Sequence, residues 1–473
     1  MADAGAPIVV WFRQDLRVAD NPALHAAHDS KRPLVCVYVL DDDTPGKWKL
    51  GGASRWWLHH SLVALHADLE KRGTRLVLRR GDARKVIPNL VKEIGASAVH
   101  WNRCCEPFAI ARDTALKDSL SKAHVEANSF NGALLFEPWE VKNKTGEPYK
   151  VFTPFWRACR AMGPQRAVLP APKKLAGYAN AVASDVLTSW SLLPRRPNWA
   201  KPFQPHWTPG EAGARKALSA FLDQRLGPYP EARNELGQNA TSRLSPHLHF
   251  GEISPSQIWA ALDPDAPGAD KFLAEIGWRE FSNHLLFHWP LLPEQNWRVQ
   301  FDAFPWRDDA SALSAWQRGR TGYPVVDAAM RELWLTGYMH NRARMIAASF
   351  LIKHLLLDWR HGEAWFWDTL LDADLANNSA SWQWVAGSGA DASPYFRIFN
   401  PVTQGERYDS NGAYVRRWLP ELAKLPNAAL HAPWTADAAT LKNAGVVLGE
   451  TYPAPIVDHA EARARALAAF ATI

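Results

Sequence analysis

"PIVVWFRQDLRVADNPAL", Pro7–Leu24, sets the reading of the first third of the chain. Its opening run, Pro7–Phe12, is apolar at every position and rich in β-branched and aromatic residues, which predicts a buried first strand. Three similar runs follow: "PLVCVYVL" (Pro33–Leu40), "RLVLRRGD" (Arg75–Asp82) and "ASAVHW" (Ala96–Trp101). Helical stretches separate them, such as "SRWWLHHSLVALHADLEKRG" (Ser54–Gly73), with Ser54 as its expected N-cap and Gly73 as its stop. Strands alternating with helices predict an α/β domain, a doubly wound parallel sheet of Rossmann-like form, with ligands at the C-terminal ends of its strands. No GxGxxG follows the first strand, so an ordinary dinucleotide fingerprint is absent.

The chain of 473 residues is long enough for two or three domains and a large core. Its composition, 47% hydrophobic and 22% charged, is that of a globular protein in water. No apolar run reaches the length of a membrane span, and "MADAGAPIVVWF" lacks a basic region before an apolar signal core. The expectation is a cytoplasmic protein without a membrane partner. Four cysteines (Cys36, Cys104, Cys105, Cys159) give neither a disulfide framework nor zinc spacing, and His247, His249, His59 and His60 read as packing and hydrogen-bonding groups, with no metal expected. The net charge of +6 hints at an anionic partner, nucleic acid above all. The 24 tryptophans are the compositional anomaly. Indoles fill cores, and they also stack on flat rings and are readily oxidised.

Proline-rich sequence marks a connector, "GPQRAVLPAPKK" and "LLPRRPNWAKPFQPHWTPG", after which the pattern is almost wholly helical. The expected organisation is an α/β domain over 1–135, a linker over 136–209, and a larger all-α domain over 210–473. Within the last, "DAAMRELWLTGYMHNRARMIAASFLIKHLLLDW" (Asp327–Trp359) repeats apolar residues at helical spacing and breaks near Gly337.

Several polar clusters in this half have two readings each. "ATSRLSPHLHFGEIS" (Ala240–Ser254) sets Thr241, Ser242 and Ser245 before a helical run, suited to helix capping and equally to phosphate oxygens. "EIGWREFSNHLLFHWP" (Glu275–Pro290) and "HNRARM" (His340–Met345) read as solvated amphipathic faces, or as polar groups and an indole wall around a base or ring cofactor. "DADLANNSASWQW" (Asp372–Trp384) aims two carboxylates, two amides and two indoles in different directions.

Together "FRQDLRVADNPAL", "ATSRLSPHLHFGEIS", "WREF", "TGYPVVDAAMREL", "MHNRARM" and "NNSASWQWVAGSGADASPYFRIFNP" resemble the DNA photolyase/cryptochrome family. The resemblance runs to the C-terminal "YPAPIVDHAEARARAL" and is nearest to microbial photolyases acting on cyclobutane pyrimidine dimers. It implies that the helical domain binds FAD, active as the reduced FADH⁻. The implied phosphate ligands are Tyr229 and the turn Thr241, Ser242, Arg243, Leu244 and Ser245, with Arg279 nearby. Asn341 and Arg344 would line the flavin, Asp372 and Asp374 its ring and ribityl or ribose groups, and Arg344 would pair with Asp372. Asn378 falls where photolyases place an amide at flavin N5 and plant cryptochromes an aspartate, which favours repair.

The same resemblance separates the indoles. Trp382, Trp359 and Trp306 match an electron-transfer chain from flavin to surface. Trp278 and Trp384 match walls of a pocket for a flipped-out dimer, with Glu275 and Asn341 bonding the bases and Arg342 and Gln404 touching the DNA backbone. Met345 and Asn341 stand where relatives that repair (6-4) photoproducts carry histidines. Glu106, in "NRCCEPFAIARD", matches the glutamate that holds a 5,10-methenyltetrahydrofolate antenna, although Cys104-Cys105 departs from the pattern; a deazaflavin or no antenna are the alternatives. The implied partner is UV-damaged DNA, bound by a monomer. A cryptochrome-type photoreceptor is the competing function, disfavoured by Asn378, by the Trp278/Trp384 pair and by the expected absence of a long C-terminal extension after "ARARALAAFATI".

Overall fold

The computed structural model describes residues 5–391 and 396–473, so Ala392–Tyr395 of the 377–401 motif lie outside the described residues. Five parallel strands form one sheet in the order β3-β2-β1-β4-β5: β1 Ile8–Phe12, β2 Leu34–Leu40, β3 Leu76–Arg80, β4 Ala98–Asn102 and β5 Glu126–Phe130. Ile8 pairs with Leu34 on one side and Ala98 on the other, which puts the first strand at the centre. Val9, Trp11, Val35, Val37, Val39, Val77 and Val99 share a core cluster with Ile87, Leu90, Leu116 and Leu120 of the helices Ala83–Ile94 and Pro107–Lys122. Their alternates Val10, Phe12, Cys36, Tyr38 and Leu40 are buried as well. Both faces are therefore covered, as parallel sheets require.

β5 is absent from the sequence reading. "EANSF" is a half-exposed edge strand carrying Glu126, Asn128 and Ser129, so it lacks the apolar run that betrays the others. Ser54 is not a cap. The helix runs Gly52–Glu70 from Gly51, whose carbonyl accepts from Arg55 N–H, and Ser54 is buried inside its first turn.

The chain folds into two compact units: Met1–Gly227 with Ser242–Pro290 and Leu371–Ala376, and Pro228–Thr241 with Leu291–Leu370 and Asn377–Ile473. Residues 136–209, expected as a linker, belong to the first unit and carry the helix Phe152–Met162. That helix docks on the helix Ala269–His288, where Gly277 has no side chain because the Trp156 ring occupies the space. Gly251, at φ +64, lets the chain press against the Gln14 carbonyl, and Leu16 N–H bonds the Phe250 carbonyl beside it at 3.0 Å.

In the second unit the Asp327–Trp359 pattern resolves into the helix Pro324–Thr336, a left-handed Gly337 and the helix Asn341–Ser349, which widens into a π turn at Phe350–His354. Asp358 then caps the helix Trp359–Thr369 by accepting from Arg360 N–H at 2.9 Å, a contact of the kind that contributes about 1 kcal/mol. Among the described residues no helix is long and apolar enough to cross a membrane, and no group of three potential ligands could hold a metal ion.

Candidate functional site

In the first unit the helix Ala269–His288 carries three of the expected residues. Trp278 lies flat on Phe152, ring centroids 3.8 Å apart and planes 9° from parallel. One turn earlier, half-buried Glu275 faces Lys271 at 3.9 Å. Arg279 Nη1 donates to the Ala133 carbonyl at 2.9 Å and lies 3.3 Å from Glu280. Burial raises Glu280 to about 7, against the opposing pull of Arg279 and of the Leu135 and Phe136 N–H groups. Glu280 thus ties the 133–136 segment to the helix that presents Trp278.

The hydroxyl turn is compact. Arg243 adopts φ +55 and places its guanidinium 4.3 Å above the Trp207 ring, Leu244 N–H reaches Ser242 Oγ at 3.4 Å, and exposed Ser245 opens the short helix Ser245–His249. Asp372 is buried and Asp374 half-buried, with His249 Nδ1 3.8 Å from Asp374 Oδ2.

In the second unit Tyr229 is buried in a single helical turn beneath Arg233, and Thr241 Oγ1 lies 3.5 Å from Tyr338 OH. The helix Asn341–Ser349 starts at His340, whose Nδ1 accepts from Arg342 N–H at 3.1 Å. Burial, reinforced by Arg342, Arg344 and Arg233, pushes His340 down to about 4. It is therefore neutral at pH 7, and the arginines supply the positive charge. Exposed Asn341 and half-buried Met345, four residues on, share one face of the helix. Arg344 Nε donates to the Met339 carbonyl at 2.8 Å.

Arg342 bonds Asn234 Oδ1 at 2.8 Å and stacks 4.5 Å above the Tyr408 ring. Burial pulls its guanidinium below the ordinary value, with Arg233, Arg397 and Arg407 pushing the same way and Tyr408 opposing. Four arginines this close form a field suited to phosphates. Gln404 stands one turn before Tyr408 on the helix Pro401–Tyr408. The sequence points only to Arg342 and Gln404 here; Arg407 and Tyr408 share Gln404's helix, while Asn234 and Arg233 come from a segment more than 100 residues before Arg342, and nothing local marks them.

The helix Leu375–Ala386 carries the amide and indole positions. Buried Asn378 donates from Nδ2 to the Glu363 carbonyl at 3.0 Å, and Ser379 gives its hydroxyl to Glu363 Oε1 at 2.5 Å. A carbonyl can only accept, so the amide nitrogen must face Glu363 and the amide oxygen points the other way as an acceptor. Trp382 is buried against Phe366 and Trp316, at 5.0 and 6.2 Å between ring centroids. Gly362 leaves the space its six-membered ring fills. Trp359 is fully buried and donates Nε1–H to Asn296 Oδ1 at 2.9 Å. Trp306 is half-buried, 4.4 Å from Phe304, in an aromatic cluster with Phe301 and Phe396. The three expected wire indoles thus lie in one unit, each held by different neighbours. Trp384 is half-buried two residues beyond Trp382.

Glu106 is buried and accepts from Gln14 Nε2 at 2.6 Å, while its Oε2 finds no partner among the described residues. It lines neither of two clefts beside the C-terminal ends of β4 and β5. One, of about 320 Å³, is bounded by Arg103, Glu137, Trp139 and Arg166. The other, of about 160 Å³, is bounded by Arg103, Cys104, Cys105, Lys117 and Trp139. Arg103 pairs with Glu137 and lies 5.6 Å from the Trp139 ring. Nothing local in the sequence marks Arg103 or Trp139 as lining these clefts.

A family model described as DNA photolyase matches residues 8–173, and one described as the FAD-binding domain of DNA photolyase matches residues 272–472. A protein of Agrobacterium fabrum named deoxyribodipyrimidine photo-lyase is 54% identical, covering 99% of this chain and 98% of its own. Cryptochrome-1 of Arabidopsis thaliana is 40% identical over 98% of this chain and 70% of its own length. The crystal structure of a class III photolyase from Agrobacterium tumefaciens superposes with a TM-score of 0.96 at 52% identity, covering 100% of this chain and 98% of its own.

Proposed function

This chain belongs to the DNA photolyase family, and from that premise we propose that it is a deoxyribodipyrimidine photo-lyase, an enzyme that uses blue light to split cyclobutane pyrimidine dimers in DNA. The observation that carries repair over photoreception is Asn378, whose amide is turned by the Glu363 carbonyl so that an oxygen acceptor faces away from it. An acceptor there suits the N5–H of a reduced flavin, and an amide has no proton to surrender to it. The donor set of the chain fits FAD: hydroxyls and guanidinium groups for phosphates, carboxylates for ribityl and ring N–H groups, and this fixed amide.

FAD, when bound and fully reduced, supplies the electron that light drives into the dimer and takes it back once both cyclobutane bonds have opened. The chain's part is to bind, orient and exclude water. By the family's pattern, Tyr229, Thr241, Ser242, Arg243, Leu244 and Ser245 would hold the phosphates with Arg279, and Asn341, Arg344, Asp372, Asp374 and Asn378 would line the ring system. A dimer weakens its own base pairing, which lowers the cost of flipping it from the duplex. Trp278, already set parallel to Phe152, and Trp384 stack on the flipped bases, and Glu275 and Asn341 bond their polar edges. Met345 makes the same pocket wall apolar. Arg342, within its group of arginines, and Gln404 take the DNA backbone. Trp382, Trp359 and Trp306 would relay electrons inward to an oxidised flavin, one at a time.

For the antenna, the reading is 5,10-methenyltetrahydrofolate, with a deazaflavin or no pigment as alternatives. Glu106 is the carboxylate the sequence offers for the pterin. The clefts at Trp139 add a flat indole with Arg103, Arg166 and Lys117 around it, suited to an aromatic pigment with anionic tails.

Expression in bacteria lacking their own photoreactivation tests the function. UV-irradiated cells should recover under blue light and not in the dark. Trp384→Ala should abolish the recovery while the purified protein keeps its FAD, because stacking on an aromatic contributes ~1–3 kcal/mol per base. Full recovery with Trp384→Ala would remove that indole from the pocket.

A further inference from the structure

We propose that Asn296 is a positioning residue of the electron wire: its amide oxygen holds the N–H of Trp359, so that the oxidised indole passes its vacancy to Trp306 without losing its proton. This rests on the reading of Trp382, Trp359 and Trp306 as the wire.

Trp359 and Asn296 are 63 positions apart, and the bond between them, 2.9 Å from Nε1 to Oδ1, is buried. Asn296 is itself fixed, because its Nδ2 donates to Asp302 Oδ1 at 2.7 Å. A carboxylate only accepts, so the amide nitrogen must face Asp302 and the amide oxygen must face the indole. The arrangement places a carboxylate one residue removed from the N–H and an uncharged group in contact with it.

That order of groups matters for the chemistry. When Trp359 gives an electron to oxidised Trp382, its ring becomes a cation whose N–H is far more acidic than in the neutral indole. A carboxylate in contact would take the proton and leave a neutral radical, and the next electron would then have to arrive together with a returning proton. An amide oxygen is too weak a base for that. It accepts the hydrogen bond and leaves the proton on Nε1. One electron then moves from Trp359 to Trp382 and one from Trp306 to Trp359, with no proton displaced at the middle position. Only half-buried Trp306 has solvent to receive a proton.

Arg360 adds a second influence. Its guanidinium lies 4.7 Å from the Trp359 ring, held by the Glu294 carbonyl and by Asp358, each at 2.9 Å. A fixed positive charge over the ring disfavours a resting cation there and presses the vacancy onward.

Flash photolysis of the flavin-loaded Trp306→Phe protein, in which the vacancy stops at Trp359, tests the proposal. The expected transient is the protonated radical cation, decaying at the same rate in H₂O and D₂O. Exchanging the two polar groups, Asn296→Asp with Asp302→Asn in the same background, keeps the number of hydrogen bonds and should convert the transient to the neutral radical. A neutral radical in Trp306→Phe alone would overturn the proposal, as would a persistent cation in the exchanged protein. If the exchanged protein does not fold, the spectrum and isotope effect of Trp306→Phe still decide. Hydrogen exchange at the Trp359 indole, read without light, should be slow in the parent protein and at least about tenfold faster in Asn296→Ala, equivalent to ~1.4 kcal/mol; equal rates would count against the bond. Full-rate photoreduction in Trp359→Phe would instead remove the wire itself, and the two failures are told apart by that control.

Discussion

Five indoles, three in the first unit and two in the second, differ in what receives their N–H. In the first unit Trp57 donates to Glu252 at 3.0 Å, Trp101 to Asp113 at 3.1 Å and Trp190 to Asp185 at 2.9 Å, all carboxylates. In the second unit Trp316 donates to the Ala347 carbonyl at 3.0 Å and Trp359 to the Asn296 amide at 2.9 Å, both uncharged. Burial does not separate the groups: Trp57, Trp101, Trp316 and Trp359 are all fully buried. A carboxylate is the stronger acceptor for an indole that is only packing, since charge-assisted bonds hold more firmly. For an indole that must be oxidised and re-reduced it is the wrong neighbour. Of these five indoles only Trp359 belongs to the expected wire, and its acceptor is uncharged; Trp316, which packs against Trp382 outside the wire, has an uncharged acceptor too.

The comparison breaks most visibly at Trp382. Trp382→Phe should slow photoreduction by more than about tenfold, or ~1.4 kcal/mol of barrier, while repair persists once the flavin is chemically reduced. Stopped illumination with absorbance detection reads it; photoreduction at full rate would place the wire elsewhere. Gly362→Ala comes next. Its methyl group would enter the space of the Trp382 ring, so overpacking of ~1–3 kcal/mol is expected in urea unfolding, together with slower photoreduction. Unchanged photoreduction with normal stability would mean that the ring's position is not critical.

A smaller effect sharpens the second unit's tolerance of buried charge. Lys353 is buried with Nζ 3.1 Å from the Arg397 carbonyl and 3.7 Å from the Phe396 ring centroid. Burial lowers it from 10.5 to about 7. The unfolded chain then binds more protons than the folded one between about pH 7 and 10.5, so this lysine makes stability rise with pH across that window and imposes a constant penalty below it. Lys353→Met should flatten the rise in unfolding free energy measured from pH 7 to 10; an identical slope would show that the amine is charged in the fold. Smallest of all, Trp57→Phe should leave the photoreduction rate unchanged, since its carboxylate-bonded indole is packing. A slowed rate would show that Trp57 does more than pack.

Much of the fold was legible because burial on both faces writes itself as unbroken apolar runs, as in Ile8–Phe12 and Leu34–Leu40. β5 was not, because an edge strand needs no such run. The helix Phe152–Met162 was hidden among prolines, where its aromatic face at Phe152, Phe155 and Trp156 carries more information than its flanks. The break at Gly337 was visible because only a left-handed residue ends that helix. At the site, the positions of Asn378, Trp382 and Trp384 followed from resemblance to a family, which is how residues distant in sequence become readable at all. Asn296, Asp302, Gly362 and the Glu363 carbonyl were not readable. Their roles depend on contacts across the fold, and an asparagine or glycine at those places looks like any other. Glu106 follows from the resemblance of its segment to the family's, and its bond to Gln14 comes from a loop 92 residues away.

The most direct measurement is repair by the protein itself. Purified in the dark and with its flavin reduced, it should remove thymine dimers from an irradiated oligonucleotide under blue light and leave them intact in darkness. A flavin-loaded, photoreducible protein that leaves the dimers intact in light would contradict the account and point to a photoreceptor.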